Sequence, residues 1–213
     1  MDERYPGYDV LAKRNTPSWN VQTRRVIDRR LAVPREPRFF SQAEFRTLEA
    51  IAARIVPQPP DRPPVPVAAL IDDRMVRQQH DGYRPPHMPR DDEAWKLGLR
   101  AIDAEAEALC GAAFHRLHSA RKDEVLQHIE RGGGNRSEWG GMPSRTFFHQ
   151  RLVADIVRAY WSHPAAWSEI GWGGPASPRG YVRMGYDRRD PWEAVEAHPH
   201  DYDATRKANR RVG

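Results

Sequence analysis

The chain has 213 residues, with 34 Lys and Arg against 29 Asp and Glu, a net charge of +5 and only 39% hydrophobic residues. That length allows one domain with a real core plus irregular arms, and no apolar run approaches the roughly 20 residues of a membrane span. The lone Cys110 excludes an intramolecular disulfide and a cysteine zinc cluster, while seven Trp, seven Tyr and six Phe exclude a fully disordered chain.

Residues 1–38 are rich in Pro and Arg and show no period. Their scattered anchors (Tyr5, Tyr8, Leu11, Trp19, Val26 and Ile27) read as an extended N-terminal arm, either disordered or ordered by what it lies against. The arm has no apolar stretch of the kind a signal peptide needs. Its paired arginines, Arg24-Arg25 and Arg29-Arg30, run into Leu-Ala-Val-Pro-Arg-Glu-Pro rather than into an export signal.

A helical domain is expected over 39–193. Ser41 and Glu44 have capping-box spacing, and Phe40 with Phe45 is placed as a hydrophobic staple. Phe45, Leu48, Ala52 and Ile55 then fall on one helical face, which Pro57 ends. A second helix runs from about 66 to 79, with Val67, Leu70, Ile71 and Met75 inward. The third starts at Asp91 or Asp92, buries Trp95, Leu99, Ile102, Ala106 and Leu109, and stops at Gly111. Ser119 caps a fourth helix carrying Val125, Leu126 and Ile129. Ser144 or Thr146 opens a fifth with Phe148, Leu152, Ile156 and Tyr160 on one side, and His163-Pro164 starts a short turn. The fold class is therefore all-α: one irregular domain of about five helices with long Pro- and Gly-rich arms. Residues 194–213 close it as a polar tail.

Candidate chemical sites are weak. His115 with His118, and His198 with His200, lack the third and fourth convergent ligands of a metal site. The pairs Asp72-Asp73 and Asp91-Asp92 have no nucleophile beside them, and the second pair suits a helix N-terminus. Gly132–Gly134 and Gly171–Gly174 lack the strand, spaced glycines or Lys-Ser/Thr of a nucleotide loop. No catalytic, cofactor or metal residue is therefore assigned. Thirty of the basic residues are Arg, spread along the chain rather than clustered.

The segment 171–192 stands out. Glycine and proline bar regular structure there, yet it carries Trp172, Tyr181, Tyr186 and Trp192 among arginines. Trp, Tyr and Arg are the residues enriched at protein–protein hot spots. Trp172, Pro178, Arg179, Gly180, Tyr181, Arg183 and Trp192 are accordingly the expected partner-binding residues. The alternative is that the aromatics fold back on the chain's own helices.

The order of these features resembles the gluconate 2-dehydrogenase subunit 3 family. The matching pieces are Phe40-Ser41-x-x-Glu44 leading to Ala53-Arg54-Ile55-Val56-Pro57, then Gly98-Leu99-x-x-Ile102-Asp103, then Phe114-x-x-Leu117. Phe148 to Tyr160, His163-Pro164, Gly171-Trp172, Pro178-Arg179-Gly180-Tyr181 and Asp190-Pro191-Trp192 complete it, over about residues 38–193. The resemblance implies a non-catalytic, chaperone-like accessory subunit that holds no cofactor. It further implies a large partner of the glucose–methanol–choline type carrying FAD, in a membrane-associated sugar or alcohol dehydrogenase, with a cytochrome c subunit taking the electrons. Many members begin with a twin-arginine signal, and this chain has its arm instead. The expected location is the periplasm, by export with a signal-bearing partner, or else the cytoplasm. A reading from another class is a free-standing Arg-rich helical module that binds nucleic acid, which salt-dependent retention on DNA would reveal.

Overall fold

The computed structural model describes residues 3–60, 62–134, 137–175, 180, 184–185 and 187–212. In chain order the helices are α1 (Val21–Leu31), α2 (Gln42–Ile55), α3 (Val67–Val76), α4 (Asp91–Cys110), α5 (Ser119–Glu130), α6 (Ser144–Phe147), α7 (Ala154–Trp161), α8 (Pro164–Glu169) and α9 (Tyr202–Asn209). A π-helical stretch, Phe148–Val153, joins α6 to α7. Among the described residues there is no strand, so the fold is all-α.

The chain divides into two compact units. One gathers residues 1–32, 60–65 and 161–213; the other holds 33–59 and 66–160. This grouping differs from the arm, domain and tail expected at 1–38, 39–193 and 194–213. The reason lies in side chains that join distant pieces of sequence.

In the 33–160 unit, the capping box forms as its spacing predicts. The Ser41 N–H donates to Glu44 at 2.9 Å, and the Glu44 N–H to Ser41 Oγ at 3.3 Å. Helix α4 is the central element and packs on α2, α5 and α6. Its Trp95, Leu99, Ile102 and Ala106 are fully buried. Leu109, expected in the same seam, is half exposed at 50%, because α4 is in its last turn there and ends at Gly111 in a left-handed conformation. Gly98 sits under the Phe147 ring, where a Cβ would lie 2.2 Å from its nearest carbon. Asp91 is the first residue of α4, one of the two expected starts, whereas His118, not Ser119, is the cap residue of α5.

In the other unit, the supposed extended arm is folded. A 3₁₀ turn (Val10–Asn15) leads to α1, whose Asn20 side chain caps the Thr23 N–H at 2.9 Å. Tyr8, Val10, Trp19, Ile27, Trp167, Trp192 and Val212 form its core. The tail is folded too. In α9, buried Asn209 donates to the Pro6 carbonyl (3.0 Å) and the Val195 carbonyl (2.9 Å), and accepts from the Val195 N–H (2.7 Å). One amide thus ties both ends of the chain to residue 195 and leaves no backbone group there unpaired.

Candidate functional site

Of the seven residues expected to bind a partner, Pro178, Arg179, Tyr181 and Arg183 lie outside the described residues. Gly180 is exposed with φ +88°, a conformation that favours glycine. The two tryptophans part company. Trp192 is 8% exposed within the aromatic core, and its carbonyl accepts from the Tyr8 hydroxyl at 3.3 Å. For Trp192 the structure therefore gives the fold-back arrangement. Trp172 remains 39% exposed. One side meets the Trp167 ring edge-on, with centroids 4.8 Å apart and planes at 81°.

The glycines before and after Trp172 serve close approach. The Gly173 carbonyl accepts from Trp19 Nε1 at 3.3 Å. A Cβ on Gly174 (φ +79°) would meet the Trp19 and Trp167 rings at 3.0 and 3.2 Å. Here the Gly-rich run brings the backbone close against the Trp19 and Trp167 rings.

Around this run lies a cavity of about 860 Å³, lined by Tyr8, Lys13, Trp172, Arg188, Trp192 and Glu193 among others. Lys13 is only 3% exposed. Its ammonium donates to Ser18 Oγ at 3.0 Å and lies 5.2 Å from the Trp19 ring centroid. Burial pushes it down to about 8, against the opposing pull of Glu193. Sequence reading passed over Lys13. The available signal was its rarity, as one of four lysines beside thirty arginines.

The 33–160 unit contains a second charged cluster. Arg151 reaches Asp91 (2.6 Å), Asp81 (3.1 Å) and Asp155 (3.2 Å). Arg74 reaches Asp155 and Asp81, each at 2.7 Å, and Trp95 Nε1 donates to Asp155 at 3.0 Å. Partial burial pushes the Asp81 carboxyl up, but Arg74, Arg158 and Arg151 outweigh it and hold it below the ordinary range. Asp91 thus does more than complement a helix terminus. Asp72, fully buried, accepts from three successive N–H groups, Arg38, Phe39 and Phe40, at 2.9–3.0 Å. Among the described residues, no group of three His, Cys, Asp or Glu is placed to hold a metal ion.

The motif residues hold the fold together. Asp103 accepts from the Phe114 N–H (2.9 Å) and the Thr47 hydroxyl (2.9 Å), and burial lifts its carboxyl above the ordinary range despite both bonds. The His163 ring accepts from the Ala165 N–H at 3.2 Å, and Pro164 takes the first helical position of α8. Asp190, buried, accepts from the Met184 N–H at 3.1 Å.

The model of the family described as gluconate 2-dehydrogenase subunit 3 matches residues 42–174. That span takes in most of the 33–160 unit and ends just after Trp172; Lys13 and Trp192 fall outside it. No curated protein and no solved structure matches the chain. With most of the chain matched, and the motif residues performing the structural duties just described, the chain belongs to the gluconate 2-dehydrogenase subunit 3 family, accessory subunits of a gluconate dehydrogenase complex.

Proposed function

We propose that the chain is a non-catalytic, chaperone-like stabilising subunit of a membrane-associated, FAD-dependent sugar or alcohol dehydrogenase. The large subunit, of the glucose–methanol–choline type, holds the FAD and does the oxidation; a cytochrome c subunit takes the electrons. The small subunit holds no cofactor. The family match over residues 42–174 carries this reading. Supporting it, the motif side chains brought together here make structural contacts: caps, aromatic packing and buried hydrogen bonds. No described helix is long and apolar enough to cross a membrane, which suits membrane association through another subunit. The test is expression of the large subunit with and without this chain. Without it, the yield of folded, flavin-loaded large subunit should fall severalfold. Equal yield and equal flavin content would refute the stabilising role.

Of the expected partner-binding aromatics that the structure describes, Trp172 is the one that stays partly exposed. Truncating an interface anchor typically costs about 2 kcal/mol of binding, near thirtyfold. Trp172→Ala should therefore weaken the complex by roughly that factor while the isolated chain keeps its melting point. An early-melting variant with normal binding would assign the ring to this chain's packing against Trp167 instead.

A further inference from the structure

Lys13 is an unusual cation for a protein interior. Lysine is almost never fully buried unless its charge is paired. Here the ammonium is 3% exposed, and Ser18 Oγ is its one hydrogen-bond partner among the described residues. Two of its three N–H donors are left over. Among the described residues it makes no ion pair. Glu193 acts on it only at longer range, and Asp187, Arg188 and Arg189 are the other charged groups lining the same cavity. Segment 176–183 contains no Asp or Glu at all. The ammonium lies close against the glycine run: a Cβ on Gly173 would fall 2.7 Å from Lys13 Nζ. A buried charge with so few partners destabilises the isolated chain, and a missing counter-ion would relieve it.

We propose that Lys13 is a receptor for a carboxylate of the dehydrogenase subunit, an acidic side chain of which enters the cavity lined by Trp172 and Trp192 and pairs with the ammonium. This rests on the reading of the chain as that enzyme's accessory subunit. Charge complementarity identifies the occupant: the cavity holds a buried ammonium with two of its three donors left over, beside the Trp172 and Trp192 rings. The surrounding 860 Å³ admits a whole side chain.

The design predicts opposite effects on stability and on assembly. In the isolated chain, Lys13→Met should raise the melting point, because it removes an unpaired buried charge. In the complex it should weaken affinity by roughly thirtyfold or more, the usual result of truncating one partner of a buried charge pair. A side chain that merely supports the fold would lose both together. Lys13 also sheds its proton near pH 8 when folded but near 10.5 when unfolded. The unfolded state therefore binds more protons in that window, and the isolated chain should gain stability as pH rises through it. Lys13→Met should lack that gain.

The deciding experiment measures the Lys13 titration midpoint by NMR of ¹³C-labelled lysine, in the full chain alone and bound to its dehydrogenase subunit. The midpoint should rise from about 8 toward the ordinary lysine range on binding. This readout needs no variant, so it holds even if Lys13→Met folds poorly. An unchanged midpoint in the complex, or full affinity of Lys13→Met, overturns the carboxylate pairing and leaves the subunit assignment standing. A midpoint that responds to millimolar acetate but not to the partner assigns the pocket to a free carboxylate and also overturns it. Failure of the wild-type chain to bind any dehydrogenase subunit overturns both.

Discussion

Arg151→Leu is expected to destabilise the protein by about 3–5 kcal/mol, the usual result of removing one member of a buried ion pair. Its side chain is 4% exposed and so is that of Asp91, while Asp155 is 2% exposed. Burial alone would lower the guanidinium, but Asp155 and Asp91 more than offset that and raise it above its ordinary value. Leucine would leave Asp91 facing the Asp81 N–H (2.9 Å) and a distant Arg74 (3.8 Å), with no direct cation at hydrogen-bond range. Arg74 still holds Asp155, which keeps the loss from exceeding this range. Arg158→Ala is the contrasting control. That side chain is 54% exposed, and its bond to Asp155 at 3.0 Å is of the surface type, worth about 0.2–1 kcal/mol. Chemical denaturation of both variants checks the contrast. A loss below 1 kcal/mol for Arg151→Leu would show that the cluster is not a structural requirement.

This cluster also shows where sequence reading stops. Arg151 and Asp155 are four apart on one helical stretch, a pair any reader could mark. Their partners Asp81 and Asp91 lie some 60–70 residues away, and nothing local points to them. The elements that were legible, α2 to α7, announce themselves through apolar side chains at helical spacing and through caps such as Ser41 and Glu44. Phe148, Leu152, Ile156 and Tyr160 are a subtler instance. Steps of four overshoot an α-helical turn by about 40°, yet all four are buried. The looser i→i+5 winding of the π stretch brings such steps nearer a full turn.

Helices α1 and α9 escaped for the opposite reason: the faces they bury are largely polar. In α1 the buried residues are Thr23 and Ile27, in α9 Thr205 and Asn209. Each pair has the four-residue spacing of a helix face, but a hydrophobic pattern cannot register threonine and asparagine. Their burial is made tolerable by hydrogen bonds, such as those of Asn209 to Pro6 and Val195, that exist only once the chain's two ends have met. The candidate pocket shares this property. Lys13 is 160 residues from the glycine run that accommodates it, so no spacing rule could join them.

Trp95→Ala should cost about 4–5 kcal/mol, at the upper end of the range for emptying a buried tryptophan site. Two separable effects add here. The ring is fully buried and meets Phe40 and Phe147 edge-on, at centroid distances of 6.3 and 5.8 Å. Such aromatic pairs contribute about 0.5–1.5 kcal/mol beyond their buried area. Its Nε1 also donates to Asp155 Oδ2, the oxygen that Arg151 approaches at 3.2 Å. Trp95→Phe separates the effects: it keeps most of the ring contacts and removes the donor, so its cost should be about 1–3 kcal/mol. Because Trp95 and Arg151 share one carboxylate oxygen, their losses should not add. In a double-mutant cycle, Trp95→Phe with Arg151→Leu should show a coupling of about 0.5–3 kcal/mol. Strict additivity would mean that the indole N–H and the guanidinium do not act on Asp155 together, and that the tryptophan stabilises α4 through its ring alone.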